Sequence, residues 1–207
     1  MDGEKYLCLN CLANLPKTNF HLQRNNSVER SFWGRVQIQK AFSYLYFQEG
    51  GITRKLMHSI KYDGDKELAE YLGNSYGSQL LEQIPDMYFD GILAVPLHSS
   101  KFRKRGFNQS EEFAKGISNS TSIPNLSHLA KRNIATDTQT RKSRLERWQN
   151  VSDIFSISSE LKYKTHSPHY LLVDDVITTG ATMESFANCL INSLDCKVSI
   201  ASIAYAV

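Results

Sequence analysis

The sequence predicts an α/β fold in which an open, mostly parallel sheet is flanked by helices and preceded by a small N-terminal subdomain. Residues 91–95 and 170–173 are short continuous apolar runs, which are typical of strands buried on both faces. Helix-period segments lie between such runs, and an apolar segment rich in Ile, Val and Ala covers residues 197–207. This alternation of strands and helices is the order expected of a doubly wound sheet.

Size and composition limit the class of protein. A chain of 207 residues with 41% apolar residues fits one α/β domain with a small appendage. The formal net charge of +3 favours no polyanionic partner by itself. No apolar run is long enough to span a bilayer, and the start has no basic segment followed by an apolar one. We therefore expect a cytoplasmic protein without membrane insertion.

The pair Gly50-Gly51 divides the chain into two predicted domains. Residues 1–50 contain a C-x-x-C pair and an aromatic cluster, and are interpreted as the small subdomain; residues 51–207 form the main domain. Within the main domain, periodicity predicts helices at 52–59, 66–81, 107–117 and 181–191, and a short strand at 126–131.

The segment from Leu171 to Thr182 joins an apolar run, two acidic residues and a Thr/Gly turn that opens a helix. The first N–H groups of a helix bind phosphate well, which is the role predicted for Thr178, Thr179, Gly180, Ala181 and Thr182. Asp174 and Asp175 would repel a phosphate, so their expected partners are vicinal sugar hydroxyls and the shell of a divalent cation. The alternative is a core strand that ends in a solvated acidic turn and an ordinary Thr N-cap.

As a whole, this segment resembles the signature with which type I phosphoribosyltransferases bind 5-phosphoribosyl 1-pyrophosphate (PRPP). The resemblance implies that Asp174 and Asp175 bind the ribose and Mg²⁺, while residues 178–182 hold the 5′-phosphate. It also implies a type I phosphoribosyltransferase-like fold. Related enzymes acting on 6-oxopurines usually have a carboxylate at the position of Thr178, so hypoxanthine and guanine are not expected substrates.

A basic segment follows the first core strand and is predicted to be a loop at the carboxyl edge of the sheet. We expect it to hold the pyrophosphate group, because Arg and Lys stabilise the charge that grows as the glycosidic bond breaks. The alternatives are a solvated basic turn or a contact with a nucleic-acid backbone. The residues assigned to this pyrophosphate loop are Lys101, Arg103, Lys104, Arg105 and Gly106, of which Arg105 and Gly106 are expected to approach closest.

A second cationic stretch, within residues 133–150, has almost no aliphatic residues. The resemblance to type I enzymes implies a flexible lid that closes over PRPP and excludes water. A charged connection without a functional role is the alternative. The residues assigned to the lid are Gln139, Arg141, Lys142, Arg144 and Arg147.

The chain also resembles, over nearly its whole length, the ComF family of phosphoribosyltransferase-like proteins, which in some bacteria is associated with DNA uptake during competence. One landmark, His58-x-x-Lys61-Tyr62, would bring His58 and Lys61 to one helix face, as ligand donors or as ordinary surface groups. The other landmarks are Cys8-x-x-Cys11, Leu15-Pro16-x-Thr18-x-Phe20-His21, Phe32-x-Gly34-Arg35, Val95-Pro96-Leu97-His98, Arg105-Gly106-Phe107-Asn108-Gln109, Thr138-Gln139-Thr140-Arg141 and residues 171–182.

The cysteines depart from the family pattern. The family commonly has two C-x-x-C pairs that form a four-cysteine zinc ribbon, whereas here Cys8 and Cys11 form one pair, and structural zinc needs four ligands. His21 is a poor third ligand, because the family has it beside complete cysteine sets. Zinc is therefore not expected in this chain, and the resemblance predicts a first pair encoded upstream of Met1.

Three functions remain open at this point. The first is an enzyme that binds Mg²⁺ and PRPP and transfers the phosphoribosyl group to an acceptor, linked to DNA uptake or nucleotide metabolism. The second is a non-catalytic DNA-uptake adaptor whose basic loops engage single-stranded DNA or a partner ATPase. A nucleotide-dependent regulator on the same fold is a third possibility. The sequence identifies neither the acceptor nor a catalytic residue.

Overall fold

The computed structural model describes residues 6–134, 154–163 and 167–206. Its strands are β1 (Ala41–Phe47), β2 (Gly91–Ala94), β3 (Ala130–Arg132), β4 (Phe155–Ile157), β5 (His169–Ile177) and β6 (Lys197–Ala206). Its α-helices are α1 (Leu9–Ala13), α2 (Ser27–Ser31), α3 (Ile52–His58), α4 (Lys66–Gln83), α5 (Ser99–Arg105), α6 (Gln109–Thr121) and α7 (Ala181–Ser193). A π-helix covers Ser59–Asp63, and short 3₁₀ turns cover Phe20–Leu22, Ser127–Leu129 and Ser159–Tyr163.

The main sheet has the order β1-β6-β5-β2, and each neighbouring pair of strands is parallel. Its central strands are apolar and buried, as a sheet covered on both faces requires. β3 and β4 form a separate antiparallel pair. The predicted fold class, an open and mostly parallel sheet flanked by helices, is confirmed.

The helices cover both faces of this sheet. From β1 to β2 the chain moves across the sheet in one direction, and from β5 to β6 it moves in the other. Helix α4 belongs to the first of these crossovers and α7 to the second. α6 packs against α4 and contacts β5 and β2, whereas α7 contacts β5 and β6. The carboxyl ends of the parallel strands therefore meet at one edge, where the chain turns into α7.

The basic segment after β2 is not the predicted loop. It forms helix α5, which begins after His98, whose side chain accepts a hydrogen bond from the Ser100 N–H, and ends at Gly106 with φ of 82°. This helix was not predicted because its mostly exposed residues show no apolar periodicity. The strand predicted at 126–131 is also shorter than expected, since a 3₁₀ turn precedes β3.

The aromatic segment before residue 50 belongs to the main sheet. β1 pairs with β6 from Ala41↔Ile200 to Phe47↔Ala206, and Phe42 and Leu45 are fully buried. The division of the chain at residue 50 remains a prediction. One edge strand of the main sheet, β1, comes from the segment before residue 50. Within the ranges given above, no helix has the length and apolar character needed to cross a membrane.

Candidate phosphate and ribose site

The turn between β5 and α7 is open to solvent. Residues 174 and 176–183 line a hollow of about 40 Å³, and Thr178 and Thr179 are exposed. The N-cap of α7 is Gly180, with φ of 73°, and it has no side chain to accept the first N–H groups of the helix. Thr179 Oγ1 reaches the Ala181 N–H only at 3.4 Å. The first N–H groups of α7 therefore have no N-cap side chain as a partner, and the assignment of a phosphate to them stays a prediction.

The two acidic residues at the head of the turn have different surroundings. Asp174 Oδ1 accepts hydrogen bonds from Ser110 Oγ at 2.9 Å and from the Asp175 N–H at 2.8 Å. Burial, together with the negative charge of Asp175, raises the pKa of Asp174 to about 7. Near neutral pH the pair thus carries less than two full negative charges.

Asp175 has a cationic partner. Lys61 Nζ lies 2.9 Å from Asp175 Oδ2, and both side chains are mostly buried. Lys61 comes from the π-helix Ser59–Asp63, a form of helix that is frequent at functional sites. This contact brings a residue of the segment before α4 to the candidate ribose site.

His58 does not join Lys61 at this site. Its Nδ1 lies 3.7 Å from Asp63 Oδ2, its side chain is 64% exposed, and its ring packs at 4.9 Å from that of Tyr62. Residues three apart share a face in an α-helix, but the π-helix that begins at Ser59 changes this spacing. Of these two residues, Lys61 contacts the acidic pair and His58 contacts Asp63.

The end of the basic helix α5 lies close to the acidic pair. Arg105 Nη1 donates to Gln109 Oε1 at 2.9 Å, and the next residue, Ser110, donates to Asp174. Asn108 holds this junction, because its Nδ2 donates to the Val95 carbonyl and its Oδ1 accepts from the Ser110 N–H. The assignment of pyrophosphate to α5 stays a prediction; Arg105 contacts Gln109, which precedes the residue that contacts Asp174.

The remaining cations of the predicted pyrophosphate segment have different exposures. Arg103 and Lys104 are exposed, and Lys101 is half-buried. The residues assigned to the lid, Gln139, Arg141, Lys142, Arg144 and Arg147, lie outside the described residues.

Phe32 and Arg35 support the turn from behind, a role that the sequence did not reveal. Arg35 Nη1 donates to the Thr179 carbonyl at 2.7 Å and to the Ser31 carbonyl at 2.8 Å. Its guanidinium also forms an ion pair with Glu184 in the first turn of α7. The buried Phe32 ring packs against Gly180, where a Cβ atom would come within 2.9 Å of it. The motif Phe32-x-Gly34-Arg35 is visible in the sequence, but it does not indicate that Arg35 contacts Thr179, 144 residues away.

The cysteine pair lies in and beside α1. Cys8 Sγ accepts a hydrogen bond from the Cys11 N–H at 3.4 Å, and hydrogen bonds from Cys11 lower the pKa of Cys8. His21 is buried in the core with Nε2 at 2.6 Å from Gln83 Oε1. In the described part of the chain, no three His, Cys, Asp or Glu side chains form a group that could hold a metal ion. The expectation that this chain does not bind zinc stays a prediction.

Comparison with known proteins identifies several relatives. Competence protein F of Haemophilus influenzae is 36% identical over 104 residues, covering 49% of this chain and 44% of that protein. DNA utilization protein YhgH of Shigella flexneri is 27% identical over 198 residues, covering 92% and 80%. Competence protein ComFC of Bacillus subtilis is 25% identical over 206 residues, also covering 92% and 80%. The chain thus spans less than half of the Haemophilus protein and four fifths of the other two.

Solved structures show a more distant likeness. An adenine phosphoribosyltransferase aligns with a TM-score of 0.43 and 18% identity, covering 68% of this chain and 71% of that one. The adenine phosphoribosyltransferase of Saccharomyces cerevisiae aligns with a TM-score of 0.40 and 16% identity, covering 67% and 69%. No protein-family model matches the chain.

Proposed function

We propose that the chain is a member of the ComF family with a type I phosphoribosyltransferase-like fold, and that it binds PRPP at the carboxyl edge of its sheet. One observation carries the proposal: the open turn at the start of α7 and the acidic pair adjoin each other at that edge. Backbone N–H groups suit the 5′-phosphate, and carboxylate oxygens suit the two ribose hydroxyls. A sugar phosphate of this shape satisfies both halves of the site.

Magnesium fits this site as a companion of the ligand. Lys61 balances the charge of Asp175, and Asp174 has a raised pKa, so the pair has little charge left to attract a cation by itself. Asp174 and Asp175 would complete the outer shell of a Mg²⁺ ion carried by the diphosphate of PRPP. The ion would supply neutralisation of the diphosphate charge, and Arg105 would add to it from α5.

The reaction proposed for the bound ligand is transfer of its phosphoribosyl group with release of pyrophosphate. Cationic groups beside the leaving group would stabilise the charge that develops on it. The relatives bear the names of competence and DNA-utilization proteins, so we place this activity in DNA uptake or in the metabolism of the nucleotides it yields.

Isothermal titration with PRPP and Mg²⁺ tests the binding half of the proposal. We expect saturable heat for the wild type and none for the double variant Asp174→Asn with Asp175→Asn, because the diol then loses both carboxyl acceptors. Asp63→Asn is the matched control, since that carboxylate is 62% exposed and pairs with His58 away from the turn. Absence of heat with millimolar PRPP in the wild type would remove the basis of the proposal.

Phosphoribosyl transfer is tested separately. Pyrophosphate release from PRPP would be measured with candidate acceptors, nucleobases and single-stranded DNA among them. Release that depends on the acceptor and disappears in the acidic double variant supports an enzyme. Binding of PRPP without release under any acceptor supports a regulator that uses the same site.

A second candidate function rests on the surface of α5. This helix exposes Phe102 (46%) beside the cations Arg103 and Lys104, and aromatic rings among cations suit single-stranded nucleic acid. Arg103→Gln with Lys104→Gln should weaken a DNA gel shift and reduce its salt dependence. Lys55→Gln with Lys66→Gln removes the same charge from helices that precede β2 and serves as the control. An adaptor binds DNA without competition from PRPP, whereas a PRPP enzyme whose site overlaps α5 shows competition.

A further inference from the structure

We propose that Arg35 is a positioning residue for the phosphate turn, holding its N–H groups in the orientation that binds a phosphate monoester. This inference rests on the proposed function and extends it to a residue outside the turn. The Arg35 guanidinium contacts the backbone of two segments. Its Nη1 donates to the Ser31 carbonyl at 2.8 Å and to the Thr179 carbonyl at 2.7 Å. Arg35 thus ties the end of α2 to the turn.

The bond to the Thr179 carbonyl also fixes the orientation of the peptide between Thr179 and Gly180. In a planar trans peptide the C=O and the following N–H point in opposite directions. Since the Thr179 carbonyl faces Arg35, the Gly180 N–H must face away from Arg35, on the other side of the turn. Gly180 also lines the hollow, and its φ of 73° leaves the peptide able to rotate in the absence of such a bond.

Phe32 limits movement of the same turn in a second way. Its ring is fully buried and lies so close to Gly180 that a Cβ atom there would come within 2.9 Å. The turn therefore has the ring on one side and the hollow on the other. Arg35 sets the rotation of the peptide, and Phe32 sets how far the turn sinks towards the core.

Arg35 also controls the charge next to the proposed phosphate. Glu184 lies in the first turn of α7, and its carboxylate would repel a phosphate bound at the start of that helix. Arg35 Nε donates to Glu184 Oε2 at 2.9 Å and forms an ion pair with it. The carboxylate is thereby neutralised without occupying the turn. Both side chains are about one third exposed, so the pair contributes little to global stability, and the effect should appear in the turn.

The first test needs no ligand. Amide hydrogen exchange of Glu184, whose N–H donates to the Gly180 carbonyl at 2.9 Å across this turn, would be compared in the wild type, Arg35→Met and Arg30→Met. Arg30 is exposed on α2, and its loss removes the same charge nearby. We expect exchange at the turn to accelerate about tenfold in Arg35→Met and to stay unchanged in Arg30→Met, with core amides of β5 unaffected in both. Equal exchange in Arg35→Met and the wild type would overturn the proposal.

The second test separates positioning from charge masking. Binding of ribose 5-phosphate should weaken roughly tenfold in Arg35→Met, the equivalent of losing one charge-assisted contact. Glu184→Gln added to Arg35→Met should restore part of this loss, and Arg35→Lys should fall between, because an ammonium keeps the charge but not the planar fork. Full recovery in the double variant would refute positioning, since charge alone would then explain the effect. If ribose 5-phosphate fails to bind the wild type, the proposed function fails, and hydrogen exchange still decides the role of Arg35.

Discussion

Replacing Gly180 by alanine tests whether the phosphate turn is packed as tightly as the structure indicates. At φ of 73° an alanine is strained, at a cost of about 1 kcal/mol. The new Cβ would also lie 2.9 Å from Cε1 and 3.0 Å from Cζ of Phe32. The ring is fully buried, so relieving this contact shifts core side chains, which costs about 1 to 3 kcal/mol. The expected loss of unfolding free energy is therefore about 2 to 4 kcal/mol.

Gly34 provides the matched control. It has nearly the same backbone angle, φ of 71°, but a Cβ atom placed there meets nothing within 4 Å. Gly34→Ala should cost only the backbone part, about 1 kcal/mol. The difference between the two variants isolates the contact with Phe32.

Urea unfolding at constant pH measures both variants, and unchanged m-values would show that the free energies are comparable. Phe32→Leu combined with Gly180→Ala should recover part of the deficit relative to the sum of the single variants, because the smaller side chain makes room. If Gly180→Ala and Gly34→Ala were equally destabilised, the tight packing of Phe32 on the turn would be refuted.

Three further predictions concern the acidic pair and the start of α6. The pKa of Asp174 is raised to about 7 in the folded protein from a reference value of 3.8, so its carboxyl destabilises the fold increasingly as pH rises from about 4 to 7. Relative to the wild type, the stability of Asp174→Asn should therefore increase by about 3 kcal/mol between pH 4.5 and 7.5 in urea unfolding, and a pH-independent difference would contradict this. Lys61→Met should raise the pKa of Asp174 further, because the Lys61 ammonium lowers that pKa. An NMR titration of the Asp174 carboxyl would then show a higher midpoint. The control is Lys55→Met on the exposed side of α3, which should leave the midpoint unchanged. Asn108→Ala removes the side chain that caps α6 and that donates to the Val95 carbonyl. We therefore expect the free energy of unfolding to fall by about 2 kcal/mol. A loss below about 0.5 kcal/mol would contradict the two hydrogen bonds of the Asn108 side chain.

The strand, turn and helix at residues 171–182 were predictable because their signals are local. An apolar strand, an acidic pair and a Gly at the helix start follow one another within a dozen residues, and each has a physical preference that the sequence displays. The strands at residues 91–95 and 170–173 were recognised for a similar reason, since burial on both faces requires a continuous apolar run.

The supports of the turn were not predictable, because they depend on which distant segments the fold brings together. Lys61 and Arg35 have nothing in their neighbourhoods that names Asp175 or Thr179 as partners. Helix α5 escaped prediction for a different reason: its exposed surface carries no apolar stripe, and its start depends on a cap from His98.

The position of β6 has a consequence for how the protein is made. This strand lies inside the sheet and supplies two of its three strand pairs, yet it comes from the last ten described residues. Until β6 has been synthesised, β1 and β5 have no common neighbour, and the backbone N–H and C=O groups on the edges that face β6 are unpaired. The sheet closes only when β6 emerges from the ribosome. A transcript cut short before residue 197 would therefore yield a product with two unpaired edges, which proteases remove readily.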